Sequence, residues 1–539
     1  MAETGTTRKK TTRRRVASKK TQNGTLKSFN PRTGEVMREI ATTPVGDVKE
    51  IVAQARKVQS EWAAIDPAGR GRYLREVAHN MYDRLDDISA VVSAEAGKSR
   101  HEAFLFDGIG AINLITYMSR LADKALRPEK VGRIAGPLLY GSRSHIEWRP
   151  YGVVGAITPW NYPITNCLLS FIGALLAGNT VVVKPSEVTP ASGELVGELF
   201  DPLPSGVFTI IQGGGEVGAA LVDAPCDKIA FIGSAPTGRK ICEAAAKHLT
   251  PVVMELGGQD AAVVCDDADL EVASSGIVWG SFFNAGQTCC SVERVFVNER
   301  IADDFERMVV EKASRIELGA GDQEMGSLTF AKQLDIVTRH VDDAISKGAR
   351  VLVGGPDAGI ENKNGTLWYA PTVLSNVTTD MDVVNEETFG PVVTITRVQD
   401  DDEAIRRSNE EGVNLTASVW TKDRRKADTI LKQLRAGALG ANDHGVLPGY
   451  AWAPWGGAGE SGFGRLNGVI GIREMAIPTH VAHALSPSMK KPIWYPYDRS
   501  QEVVLRGIAK VMAARDWGTK LEGIGEVVAN FPKVLKSRL

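Results

Sequence analysis

The feature that most limits how this 539-residue chain can fold is an alternation between residues 150 and 270. Short β-branched runs at 153–157, 181–183, 207–211, 228–232 and 261–264 are separated by segments of helix length. Parallel neighbours need a crossover of a dozen or more residues, usually helical, and this spacing supplies one each time. The stretch predicts βαβ units, a parallel sheet and ligands at the carboxyl ends of its strands. A second alternating region follows from about 290 to 440, with strands expected at 295–297 and 392–395 and a helix over 331–348. Upstream, residues 47–130 read as mainly helical, because Ile51, Ala55 and Val58 recur at three to four. The fold class is α/β.

Composition narrows the function classes. The chain is 43% hydrophobic and 24% charged, the balance of a globular protein with a large core. No run is apolar for the 18 or more residues a membrane span needs. The nearest, 168–183, is broken by Gly178-Asn179-Thr180 and reads as a buried helix, a turn and a buried strand. Six cysteines in so long a chain do not make a disulfide framework, and none has a spacing that suits zinc. The expectation is a cytoplasmic protein with no metal. Residues 1–25 carry a charge of +7 and almost no apolar side chain, which predicts a solvated, disordered tail. The tail leaves contact with nucleic acid or an anionic membrane open. Residues 496–539 form a helical C-terminal extension, either packed on the body or lying on a membrane surface.

Chemistry concentrates around Gly286-Gln287-Thr288-Cys289-Cys290. A lone free cysteine is ordinarily buried filler. This one has company: Thr-Pro-Trp-Asn-Tyr-Pro at 158–163, KPSE at 184–187, FIGS at 231–234 and Met-Glu-Leu-Gly-Gly at 254–258. Glu-Glu-Thr-Phe-Gly-Pro at 386–391 and PWGGAGESGFGR at 454–465 complete the set. In this order and spacing the chain resembles the aldehyde dehydrogenase superfamily over about residues 25–490.

The resemblance implies an NAD(P)-dependent oxidation of an aldehyde to a carboxylic acid. Cys289 matches the nucleophile that forms a thiohemiacetal and then a thioester, and the thiolate is its reactive form. Asn161 matches the side chain that stabilises the oxyanion together with the backbone N–H of the nucleophile. Glu255 matches the base that activates water for thioester hydrolysis. Lys184 and Glu187 match the pair that holds the adenosine ribose. A carboxylate there accepts from the 2′-hydroxyl and repels a 2′-phosphate, which leans towards NAD while leaving NADP possible. Gly233 and Ser234 match the turn where a helix N-terminus meets the pyrophosphate. Trp160 is placed toward the adenosine-side channel, Glu387 on the nicotinamide ribose and Phe389 near that ring. GGGEVG at 213–218 has the form of a dinucleotide fingerprint, yet the resemblance puts the pyrophosphate elsewhere and leaves it a structural turn.

The implied architecture has a Rossmann-like cofactor domain (26–138 and 153–257) and a catalytic α/β domain (258–470). A small β bridging element (139–152 and 471–495) would pair subunits into a homodimer or homotetramer. Leu466 departs from the family pattern, because many members carry a glutamate there as a proposed proton relay. Trp279 and Phe283 suggest an apolar pocket, hence an uncharged or aromatic aldehyde. Two other readings compete: an acyl-transferring semialdehyde dehydrogenase, against which Glu255 counts, and a catalytically silent binding or structural protein of the same fold.

Overall fold

The computed structural model describes residues 24–131, 142–319, 321, 323–410, 414–445, 447–484, 491, 494–495 and 497–536. Nearly all of the basic tail therefore lies outside the described residues. So do residues 139–141, the start of the first bridging segment.

The alternation at 150–270 builds a six-stranded sheet. Val153–Ile157, Thr180–Lys184, Phe208–Ile210, Lys228–Gly233 and Val252–Leu256 run parallel. The order places Val153–Ile157 centrally, with Lys228–Gly233 on one side and Thr180–Lys184 on the other. Val153–Ile157 and Thr180–Lys184 are buried throughout, as expected of parallel strands covered by helices on both faces. The segment at 168–183 resolves as foreseen: a helix, Thr165–Ala177, buried from Asn166 onward, then the strand Thr180–Lys184.

The run at 261–264 belongs to a different sheet. Asp260–Val264 pairs in parallel with Val292–Asn298 and Thr416–Trp420 within a seven-stranded sheet. Thr372–Ser375, Val392–Val398 and Ala438–Ala441 complete its parallel part, and Arg350–Val353 adds an antiparallel edge. A three-stranded antiparallel sheet joins Glu129–Lys130, Ser142–Pro150 and Ala476–Ala484.

Two features were not expected. Gly462–Phe463, far along the chain, returns to the six-stranded sheet and pairs antiparallel with Val252–Leu256, so the two sheets are stitched together. Within the helical region Ala103–Gly110 is a π-helical turn. Such turns concentrate at functional sites because they push one side chain out of the helical register. Among the described residues, no helix is long and apolar enough to cross a membrane.

Candidate active site

The carboxyl edge of the six-stranded sheet gathers the expected residues. Trp160 and Asn161 follow the strand Val153–Ile157, Lys184 ends the next strand, Gly233 ends Lys228–Gly233, and Glu255 is the penultimate residue of Val252–Leu256. From the seven-stranded sheet come the segments that precede strands. Cys289 leads into Val292–Asn298, and Glu387 with Phe389 leads into Val392–Val398. The carboxyl edge of one sheet thus meets the amino edge of the other.

Cys289 follows a strained loop. Asn284, Ala285 and Gly286 have φ of 53°, 53° and 69°, three successive left-handed residues, two of them with side chains. A hydrogen-bonded frame holds them. The carboxylate of Glu102 accepts from the Asn284 N–H at 2.7 Å, and the Asn284 amide donates to the carbonyls of Asn161 (3.1 Å) and Gln287 (3.0 Å). Gln287 donates to the Asn284 carbonyl and accepts from the Thr329 N–H. The carbonyl of Cys290 lies 3.1 Å from Nε2 of His444, whose burial lowers its pKa to about 4 and keeps the ring neutral.

Asn161 is fixed from both ends. Asn166 donates to its Oδ1 at 3.1 Å, which turns Nδ2 toward the Cys289 loop, where it donates to the Gln287 carbonyl at 3.0 Å. An amide nitrogen has two N–H groups, so one remains for a ligand. The backbone N–H of Cys289 has no hydrogen-bond partner among the described residues. Beneath Asn161, fully buried Lys98 donates to its carbonyl (2.7 Å) and pairs with equally buried Asp107 (2.9 Å). Asp107 accepts from the N–H groups of Ile164 and Thr165, so a single buried ion pair shapes the turn that carries Asn161.

Glu255 is 2% exposed, and burial raises its carboxyl to about 8 despite a 3.0 Å hydrogen bond from the Trp455 indole and the nearby Cys289 thiol. The Cys289 thiol is held well above its ordinary value by the neighbouring Cys290 thiol, by burial and by the charge of Glu255. It therefore rests as a neutral thiol facing a carboxyl group. Gly462 explains how the Glu255 strand is covered: at φ 110° it lies so close that a Cβ would come within 2.2 Å of the Met254 carbonyl oxygen.

The residues expected to hold a dinucleotide are spread along the same edge. Lys184 is buried along its stem and its ammonium pairs with exposed Glu187. Ser234 is the N-cap of Ala235–Ala246, whose first turn carries no acid, leaving N–H groups free to meet an anion. Glu387 packs against Gly257, where a Cβ would lie 2.1 Å from its carboxylate, and accepts from the Gly258 N–H at 3.3 Å. Phe389 has φ 51°, and the buried carboxylate of Glu293 holds that turn through the N–H groups of Thr388 and Phe389. Trp160, expected on the adenosine side, has its ring edge-on to Phe389 (5.4 Å) and Phe330 (4.9 Å), so both aromatic residues share one wall.

A cavity of about 390 Å³ leads to Cys289. Leu105, Phe106, Ile109, Trp279, Phe283 and Trp455 line it, Cys290 is a wall residue, and no charged side chain among the described residues lines it. The π-helical turn supplies Leu105, Phe106 and Ile109, and the Trp279 and Phe283 rings stack at 4.7 Å. Leu466 lies in the core, 3% exposed and hydrogen-bonded through its backbone to Trp455. The sequence reading missed Lys98, Glu102, Asp107 and Glu293. Their only trace is the presence of charges among small and apolar neighbours in stretches read as plain helix or strand.

A thiol, a buried carboxylic acid and an amide donor meet where the two sheets abut, and the class of protein is an oxidoreductase. Comparison with known proteins agrees. The chain belongs to the aldehyde dehydrogenase family, whose model matches residues 18–481, and its activity is the oxidation of an aldehyde. It is 33% identical over 496 residues to the 4,4'-diapolycopene aldehyde oxidase of Methylomonas sp, covering 91% of this chain and 92% of that protein. A putative aldehyde dehydrogenase from Burkholderia cenocepacia is 34% identical at a TM-score of 0.83, covering 88% of this chain and 96% of its own. PnpE in complex with nicotinamide adenine dinucleotide is 32% identical at a TM-score of 0.81, covering 86% of this chain and 95% of its own. Its companion structure gives the source as Pseudomonas sp. WBC-3.

Proposed function

We propose that the chain oxidises an uncharged, apolar aldehyde to its carboxylic acid with NAD, by way of a thioester on Cys289 that water hydrolyses. The observation that carries this reading is Glu255: a buried carboxyl at about 8, held by Trp455 and facing the nucleophile. Cys289 Sγ, its thiol proton released to solvent, attacks the aldehyde carbon. The oxyanion takes hydrogen bonds from Asn161 Nδ2 and the Cys289 N–H, and losing one such donor typically lowers the rate roughly 10²–10³-fold. The dinucleotide, when bound, accepts the hydride. Glu187 and Lys184 would hold its adenosine ribose, Gly233 and Ser234 its pyrophosphate, and Glu387, Phe389 and Trp160 its nicotinamide end. The neighbour solved with this dinucleotide supports NAD, and the Glu187 carboxylate disfavours a 2′-phosphate. Glu255 then takes a proton from water, hydroxide adds to the thioester carbonyl, and the carbon–sulfur bond breaks to release the acid as the Glu255 proton passes to the Cys289 thiolate.

The cavity supports the substrate class. Its wall is mainly aromatic and aliphatic, with no cation among the described residues to meet a carboxylated aldehyde. The Methylomonas relative is named for a diapolycopene aldehyde, an apolar substrate of the same kind. By the same family likeness, the sheet edge formed by Glu129–Lys130, Ser142–Pro150 and Ala476–Ala484 would pair subunits in a homodimer or homotetramer.

The test is NADH formation against a panel of aldehydes beside Cys289→Ala and Glu255→Gln. Wild-type turnover, none in Cys289→Ala, and a single hydride burst that stalls in Glu255→Gln is the expected pattern. Full turnover in Glu255→Gln, or turnover that requires coenzyme A, would overturn the hydrolytic reading. Absence of turnover on every aldehyde, with the dinucleotide still bound, would turn the fold toward binding.

A further inference from the structure

Two helices close the chain, Arg499–Ala513 and Trp517–Lys536, and the family match ends before them at residue 481. They pack on each other through an inner seam of Val504, Ile508 and Val534, with Val527 and Phe531 beside it, a cluster separate from those that fill the body. At Gly507 and Gly523 the backbones come so close that a Cβ on either would fall within 2.6 Å of the other's carbonyl oxygen. The seam accounts for one apolar face of the hairpin.

A second apolar stripe is left over. Trp517, Leu521, Ile524 and Val528 recur at steps of four, three and four, one face of a helix, and are 76%, 63%, 45% and 68% exposed. Leu505 and Met512, seven residues apart on the preceding helix, are also exposed, as are Trp494, Tyr495 and Tyr497 just before it. Apolar residues scattered singly over a surface need no explanation, whereas a continuous stripe marks a contact.

The charges indicate which contact. The hairpin's glutamates are already engaged: Glu502 pairs with Arg506, and Glu522 and Glu526 both pair with Lys510. Arg515, Lys520, Lys533 and Lys536 have no carboxylate partner among the described residues. Lys520 and Lys536 fall on either side of the stripe around the helix, and the Lys520 ammonium lies 5.4 Å from the Trp517 ring. A tryptophan within an apolar stripe, flanked by lysines whose stems can reach outward, suits the boundary between acyl chains and anionic headgroups. A second copy of this chain would bring the same unpaired cations face to face, which opposes association.

We propose that the C-terminal hairpin docks this protein on the surface of an anionic lipid bilayer, with the Trp517–Val528 stripe at the acyl boundary and the lysines at the phosphates. An apolar aldehyde of the kind proposed above partitions into the same layer, but the docking does not depend on that reading. The full-length protein is sedimented with vesicles of phosphatidylcholine alone and of phosphatidylcholine mixed with phosphatidylglycerol. The expected result is binding to the mixed vesicles that weakens with salt, and a loss of at least about tenfold in the double variant Leu521→Ser/Val528→Ser. Lys520→Glu/Lys536→Glu should lose the preference for the anionic vesicles. Leu521, Val528 and Lys536 are exposed and Lys520 is half-buried, and all four lie outside the catalytic machinery, so unchanged NADH formation and circular dichroism report an intact fold. Three outcomes overturn the proposal. Wild type could sediment with neither vesicle. Binding could survive the Leu521→Ser/Val528→Ser change, which would assign it to the basic tail. The same change could alter the mass in light scattering but not vesicle binding, which would assign the stripe to a second copy. Loss of aldehyde turnover in every protein would sink the catalytic reading alone and leave the sedimentation readable.

Discussion

The two ends of the cavity are built on opposite principles. At the inner end, Asn161, Asn284 and Gln287 are joined by hydrogen bonds to one another, to Glu102 and to the buried Lys98–Asp107 pair. At the outer end, Phe106, Trp279 and Phe283 meet only through ring contacts, at 5.6 Å and 4.7 Å. A hydrogen bond specifies direction and distance, whereas ring packing mainly specifies volume. The groups at the inner end are therefore held in one geometry, while the outer end presents a wall that can change without disturbing them.

Removing the foundation of the inner end should have the largest effect. Lys98→Met leaves Asp107 buried and unpaired, a loss on the order of 3–5 kcal/mol that thermal or urea unfolding would register. A neutral result would mean that the pair is dispensable and the contrast is wrong. Asn161→Ala should lower kcat roughly 10²–10³-fold with the fold intact, and an equal effect on hydride burst and turnover would place it at the oxyanion. The pH profile comes next. Below about 8 Glu255 is a neutral acid and cannot accept a proton; above it, it is a carboxylate. Turnover limited by hydrolysis should rise about tenfold per unit up to that value and then level off, with the rise absent from the burst in Glu255→Gln. The smallest change belongs to the outer end. Phe283→Ala should raise KM for long apolar aldehydes about tenfold and leave kcat on short ones near wild type. If kcat fell on every substrate, the outer end would be part of the catalytic frame.

The parallel sheet was legible in the β-branched runs, and the motifs around Cys289, Glu255 and Asn161 named the residues proposed here as nucleophile, base and oxyanion donor. What could not be read were the groups whose roles depend on tertiary burial. Lys98 and Asp107 lie in a stretch with ordinary helical periodicity, and only the fold brings the Asn161 turn onto them. The π-helical turn at Ala103–Gly110 was missed because its apolar residues suit an α-helix equally well. Trp455 stood inside a noted motif, but its bond to Glu255 spans 200 residues and no local pattern announces such a pairing.

The late return of Gly462–Phe463 to the first sheet bears on how the chain is born. Synthesis delivers Val252–Leu256 with one flank unpaired, and the segment that covers it, together with the indole that binds Glu255, emerges some 200 residues afterwards. At about 5–20 residues per second, that interval lasts roughly 10–40 s on a ribosome. During it the emerging chain offers an open strand edge to other chains and needs shielding. The same order of events leaves the site unassembled until nearly all of the body has been made, so a truncated product ending before residue 455 would carry Cys289 but lack the indole that holds Glu255.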